Sequence, residues 1–322
     1  MNWKKFALIT LQFLLIIIFV FLFKSIFGEA NTMVGIVLIT GILILWRSSL
    51  GMDPLISSII IFLLFPLIGL VTYITQGEIW IGLLINILTI TFLMILTGVK
   101  LIYKAYVPFL LGFVFLQGSP VSGEDQIMRM LEVILGGIII AVTYYFRHRK
   151  DKDDVKGIKE VFRDFLQWSE QTKFTLRLSF GIGLAIVVGQ LIHEPKVLWI
   201  SIVVMSLTQL TEDDMRIRLR YRMFGLIIGS VLFVLLFKYL LPEQYFGLSS
   251  IVLGFIYSFI NEYKYQQIFT TINALSVSLT LFGPGESIIH RVIMLGLGTL
   301  IVILLFKIEQ WITPVFQGEN RN

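Results

Sequence analysis

The chain has 322 residues, 57% hydrophobic and 15% charged, with a formal net charge of +5 and a mean hydropathy of +0.87. Soluble domains carry about 25% charged residues, so the composition excludes a soluble globular protein and indicates a polytopic membrane protein. The basic residues lie between apolar segments, which argues against nucleic acid as a partner, and the lack of cysteine removes disulfides, thiolate catalysis and cysteine metal sites.

The N-terminus, MNWKKFALITLQFLL, has a charged start and an apolar run that continues to Phe27. The run is long enough to span a bilayer and no small-residue cleavage site follows, so it reads as a retained first helix rather than a signal peptide. At roughly 20 residues per span, the first half holds apolar segments at 6–27, 31–46, 55–75, 79–98, 101–117 and 127–146. Pro66 and Pro108 interrupt two of these and free backbone groups, which is tolerated where helices bend around a cavity. A charged linker, 147–172, follows and begins RHRKDKDDVKGIKE. Within it Ile158, Val161, Phe162, Phe165, Leu166 and Trp168 recur at helical spacing. They describe an amphipathic helix that lies on the cytoplasmic membrane surface or packs against the second half. The second half holds segments at 173–192, 196–211, 223–241, 245–260, 265–282 and 288–312, and 313–322 reads as a cytoplasmic tail. The segments 31–46 and 245–260 are short enough to be tilted or re-entrant.

The fold expected is therefore all-α: a polytopic membrane protein of about twelve transmembrane helices in two parallel six-helix repeats, 1–146 and 173–312. Lys and Arg supply an independent check. With the N-terminus inside and alternating spans, 21 basic residues fall on the inner side and 5 on the outer, a strong positive-inside bias. It places both termini in the cytoplasm of a cell-membrane protein. An even number of spans per half makes the halves parallel, related by an axis along the membrane normal.

A repeat within the chain agrees with this. Gly123, Glu124, Arg129 and Gly136 recur without a gap as Gly285, Glu286, Arg291 and Gly298, and seven positions of 123–146 are identical 162 residues later. Each copy reads as a helix start, where acidic groups favour the N-terminal dipole, with an arginine about a turn and a half inside. An arginine at mid-helix costs about 2.5–3.5 kcal/mol on insertion scales. One reading is structural: Asp125 and Glu132 lie four residues before and three after Arg129 and reach it on one helix face. Arg291 has no acid at i+3 or i+4. The other reading is that Arg291 and Arg129 face an aqueous path and attract an anionic substrate, with Glu286, Glu124 or His290 taking and releasing protons.

A second basic cluster lies in TEDDMRIRLRYRMFGLIIG, residues 211–229. Alternate spacing keeps Arg216, Arg218, Arg220 and Arg222 off a single helix face, so a loop and a helix start are expected there. They serve as a positive-inside anchor beside Glu212, Asp213 and Asp214, or as a cytoplasmic vestibule that collects organic anions. Gly225 and Gly229 form a GxxxG pair, which permits close helix packing. Asn86, Thr89, Thr91, Gln190, Gln209 and Asn273 are expected to hydrogen-bond between helices. No hydrolase or metalloprotease motif is present and His148, His193 and His290 lack metal-ligand spacing, so no enzyme activity, metal or cofactor is expected. No Walker A sequence is present either, so ATP coupling would need a partner protein.

Four stretches of the second half carry a resemblance: FTLRLSFGIGLA, VLWISIVVMSLTQ, RIRLRYRMFGLIIGSVL and ESIIHRVIMLGLGTLI. Over roughly 173–312 the chain resembles the fusaric-acid-resistance-like (FUSC-like) integral membrane transporters, which include aromatic acid exporters. Arg222-x-x-Gly225-x-x-x-Gly229 is similar to that family's R-x-x-G-x-x-x-G pattern at the third helix of a repeat. In the first half, WRSSLGMDPLISS keeps Arg47 but loses the glycines. Known relatives often carry a large cytoplasmic domain where this chain has a short linker. The resemblance implies efflux of organic, often aromatic, acids and proton-driven exchange; it carries no catalytic set, and none is transferred. The partners expected are the lipid bilayer, a small organic anion, and a second copy of the chain or an accessory protein. Two other functions fit the same pattern: a passive anion channel, and a non-transporting membrane component of envelope assembly.

Overall fold

The computed structural model describes residues 3–150, 155–193, 198–279 and 282–319, the last five of these for the backbone only. Lys152, Lys196 and Arg321, three of the cations in the charge count, lie outside the described residues. Among the described residues there is no β-strand; a single isolated bridge joins Met52 and Lys156. The chain forms α1 Trp3–Phe27, α2 Thr32–Leu45, α3 Pro54–Ile74, α4 Ile79–Thr97, α5 Val107–Gln117, α6 Glu124–His148 and α7 Ile158–Leu166. It continues as α8 Glu170–Leu191, α9 Leu198–Leu207, α10 Glu212–Val234, α11 Phe246–Tyr257, α12 Tyr263–Ser278 and α13 Pro284–Glu319. A π-helical turn, Leu235–Leu240, extends α10.

Each of the twelve expected apolar segments contains a helix, and α7 is the linker helix. Seven helices are long and apolar enough to cross a membrane: α1, α3, α4, α6, α8, α10 with its π extension, and α13. The other five are short, at 14 residues for α2, 11 for α5, 10 for α9, 12 for α11 and 16 for α12. A 10-residue helix rises about 15 Å, half the hydrocarbon thickness of about 30 Å. The shortening of α5 has a local cause. Lys104 takes a left-handed backbone, φ 54°, and Pro108 stands in the first turn of the helix. Pro108 thus starts a helix instead of interrupting one, at a position where its missing N–H costs nothing. Pro66 does lie inside α3. The expected tail at 313–322 is helical as far as Glu319, because α13 continues through Pro314.

Two compact units form, one of Met1–Leu15 and Thr211–Leu300, the other of Ile16–Leu210 and Ile301–Asn322. The division runs through α1 and α13 and the α9–α10 turn, not through the charged linker. In the larger unit α3 lies along α6, α2 against α5 and α6, and α4 along α8, which also packs on α9. Glycines permit these approaches: a Cβ on Gly41 would meet the Ile140 side chain at 2.9 Å, and one on Gly136 would collide with Leu38. The C-terminal end of α6 fastens the α2–α3 turn. The Tyr144 hydroxyl accepts from Leu50 N at 2.9 Å, and His148 Nε2 lies 2.8 Å from the Leu45 carbonyl.

The linker is anchored to the same turn. Lys156 N donates to the Gly51 carbonyl at 2.9 Å, and Lys156 Nζ pairs with Asp164 at 2.7 Å. The hydrogen bond from Lys156 holds the Asp164 carboxyl below the usual aspartate range. Glu160 accepts from Gly157 N at 3.0 Å and caps α7. α7 packs on α4 and α8 with Val161 buried and Leu166 84% exposed. Packing thus takes part of its apolar face and leaves the last residue outside.

In the smaller unit α10 and α12 touch at two glycines. A Cβ on Gly225 would stand 2.7 Å from the Gln267 backbone carbon, and one on Gly229 2.9 Å from the Ile268 carbonyl oxygen. The GxxxG spacing is therefore a real backbone approach. Beyond it Phe233, Phe237, Leu253, Ile268, Ile272 and Leu275 form a core. The start of α1 joins this unit through rings: Phe6 stacks on Phe259 at 5.4 Å and Phe13 meets Phe255 at 5.3 Å.

Candidate functional site

The motif that recurs in the sequence also recurs in burial. Glu124 and Glu286 are exposed in the first turns of α6 and α13, and Arg129 and Arg291 are buried farther along. The two arginines belong to different units, and their surroundings differ.

Arg129 is 1% exposed, and its donors are used by two loops. Nε donates to Asn31 Oδ1 at 2.9 Å, Nη1 to the Ser119 carbonyl at 2.7 Å and Nη2 to the Ala30 carbonyl at 3.2 Å. Asn31 Nδ2 in turn donates to the carbonyls of Phe27 and Asp125, both at 3.0 Å. One guanidinium therefore ties the α1–α2 connection and the α5–α6 connection to α6. The sequence suggested its own-helix acids as partners instead. Asp125 contributes its backbone, and the two carboxyl oxygens of Glu132 have no hydrogen-bond partner.

Arg291, 7% exposed, lies on α13, and Arg222, also 7% exposed, on α10. They are close enough for their like charges to repel. Arg222 bonds to the Tyr263 hydroxyl at the start of α12 and also feels the charge of Arg218. The cluster thus draws on three helices and adds positive charge inside the smaller unit. Ser287, fully buried one turn before Arg291, leaves its hydroxyl without a partner. His290 is half-buried and stacks on Phe282, with ring centroids 4.2 Å apart.

The four arginines of the second cluster do not act as a set. α10 begins at Glu212, capped by the Thr211 hydroxyl, which accepts from Asp214 N at 3.2 Å, so all four are helical and the loop expected there is absent. Arg216 is exposed and pairs with Glu212 at 2.6 Å. Arg218 lies over the Tyr263 ring at 4.9 Å. Arg220 is exposed, and Arg222 alone of the four is buried.

Sequence reasoning missed one polar pair. Arg177 of α8, 5% exposed, meets Glu309 of α13 at 2.6 Å, donates to the carbonyls of Gln209 and Leu210 at 2.8 and 2.9 Å, and lies 4.2 Å from the Phe306 ring. Its partner is 132 residues away, and no spacing rule links them. Beside this pair is a cavity of about 320 Å³ whose walls include Phe180, Leu184, Leu305 and Ile308. Gln209, expected to bridge helices, bonds locally to the Ser206 and Thr208 carbonyls at 3.0 and 2.7 Å. Among the described residues no group of three or more metal-ligating side chains occurs.

No curated protein and no solved structure matches the chain significantly. Residues 184–305 match the family described as fusaric acid resistance protein-like, so the stretch that carries Arg222, Tyr263 and Arg291 is similar to a family of integral membrane transport proteins.

Proposed function

We propose that the protein is a secondary transporter that exports organic acid anions, aromatic acids among them, and that Arg222 and Arg291 hold the carboxylate. Two buried guanidinium groups in one unit, one of which feels the like charge of the other, carry this reading. Burial of a charge costs several kcal/mol, and a second like charge nearby adds to it. An anion between them offsets both penalties, and each guanidinium presents a planar fork that fits a carboxylate. The Ser287 hydroxyl adds a neutral donor.

The short helices give the repeated architecture some support: α2 and α5 are second and fifth in the first half and α9 and α12 in the second, while α11, fourth in the second half, has the long α4 as its counterpart. Short segments at corresponding positions favour two parallel repeats. The charge bias supports cytoplasmic termini, and in this scheme Arg216 and Arg220 line an inner vestibule and Glu124 and Glu286 stand at the outer mouth. Arg129 is assigned to the scaffold in this scheme.

Flux of labelled benzoate and fusarate in proteoliposomes tests the proposal. Arg222→Gln and Arg291→Gln each lose one charge-assisted bond of about 1.5–3 kcal/mol, a loss of about ten- to a hundredfold. Wild-type flux in the double variant sinks the site. Flux that ignores an imposed pH gradient at clamped voltage marks a channel instead. Absence of flux with every acid, together with a stoichiometric partner on purification, marks an assembly component.

A further inference from the structure

Glu132 lies three residues beyond Arg129 on α6 and is 0% exposed, with neither carboxyl oxygen hydrogen-bonded. One oxygen is 3.6 Å from where a Cβ on Gly35 of α2 would stand. α2 and α3, the helices packed on α6, contain no Asp, Glu, Lys, Arg or His. The charged groups nearby are few. Arg129 acts on Glu132 along its own helix, Asp125 is exposed at the helix start, and Lys24 and Glu29 pair with each other at 2.6 Å on the surface. An ionised Glu132 would be a buried charge without one hydrogen bond, at a cost of several kcal/mol; a neutral acid there costs far less.

Packing does not demand the carboxyl. At the matching position of the second copy stands Met294, 1% exposed. The fold therefore accepts a thioether of similar length where the first copy has an acid.

We propose that Glu132 is a proton-binding site, loaded in the arrangement described here and emptied when Arg129 turns from its carbonyl partners to the carboxylate. In the step the O–H bond of the acid breaks, the proton passes to water, and the carboxylate accepts N–H bonds from Arg129. Those N–H groups leave the Ser119 and Ala30 carbonyls, so proton release unties the α5–α6 connection from Arg129 and leaves the α1–α2 connection held to α6 through Asn31 and the Asp125 carbonyl. Proton occupancy is thereby linked to the shape of one end of the larger unit. The use of this site as the coupling site of transport rests on the transporter reading; proton binding does not.

Infrared titration in lipid nanodiscs tests the site without substrate. The wild type is expected to show a carboxylic acid C=O band at neutral pH that both Glu132→Gln and Glu132→Met remove, the latter carrying the residue of the matching position. A neutral-pH spectrum with no band that either variant removes overturns the proposal. Benzoate flux tests the coupling: a gradient of one pH unit is worth up to about tenfold in the wild type, and Glu132→Gln is expected not to respond. A wild-type response in that variant overturns the coupling role. If the wild type moves no benzoate under any gradient, the transporter reading falls, and the infrared band still decides Glu132.

Discussion

Arg129 and Arg291 hold the same place in two copies of one motif, and the residues around them have diverged. Arg129 is surrounded by carbonyls and an asparagine that use its donors and hold two loops. Arg291 stands beside a second arginine contributed by another helix. The motif decides that a guanidinium is buried near a helix start. The neighbours decide what surrounds it: loop carbonyls and an asparagine for Arg129, and the like charge of Arg222 for Arg291.

The largest effect that would break this contrast is on stability. Arg129→Gln leaves Asn31 Oδ1 and the Ala30 and Ser119 carbonyls without their donor and is expected to cost about 1–3 kcal/mol for each acceptor left unsatisfied, read as a lower thermal unfolding temperature in detergent. Arg291→Gln also removes a like charge that acts on Arg222 and is expected to lose less stability than Arg129→Gln while it loses about ten- to a hundredfold in benzoate binding. An equal loss of stability in both variants would end the distinction. Next in size is Gly225→Ala, which forces a methyl group against the Gln267 backbone at 2.7 Å. Overpacking of this kind costs about 1–3 kcal/mol, and the same measurement reads it.

The smallest effect sharpens the comparison from outside the membrane. Because Lys156 lowers the folded Asp164 carboxyl, this contact adds stability above the unfolded aspartate pKa and loses it as pH falls through the lower folded value. Hydrogen-exchange protection over 155–166, taken relative to the intrinsic rate at each pH, is expected to fall only at that acidic end in the wild type, and to be low throughout in Asp164→Asn. Protection that is flat with pH in the wild type would show that Lys156 and Asp164 do not hold the linker.

The helices were legible because long apolar runs leave little else for a backbone to do in a membrane. The amphipathic spacing in the linker likewise marked α7. Lengths were harder to read, since hydropathy cannot see that Lys104 turns the chain and that Pro108 opens a helix rather than bending one. At the site, the burial of Arg129 and Arg291 was foreseeable from their matched positions. The link between Arg222 and Arg291 was not, because they are far apart in sequence and Arg222 sits in a run of arginines that resembles an ordinary inner-surface anchor. The isolation of Glu132 was hidden for the opposite reason: its spacing from Arg129 suggested an ion pair, but Asn31 and the loop carbonyls reach the guanidinium.

The glycine contact between α10 and α12 has a mechanical consequence. With Gly225 and Gly229 seated against the backbone of α12, the two helices are keyed together, and Arg222 and Tyr263 travel as a single rigid frame. α13 is not keyed in this way along its first turns, where a Cβ on Gly285 or Gly296 would meet nothing within 4 Å. On the proposed reading, Arg291 on α13 would move against this frame, and a small slide or roll of α13 would change how the two guanidinium groups hold an anion.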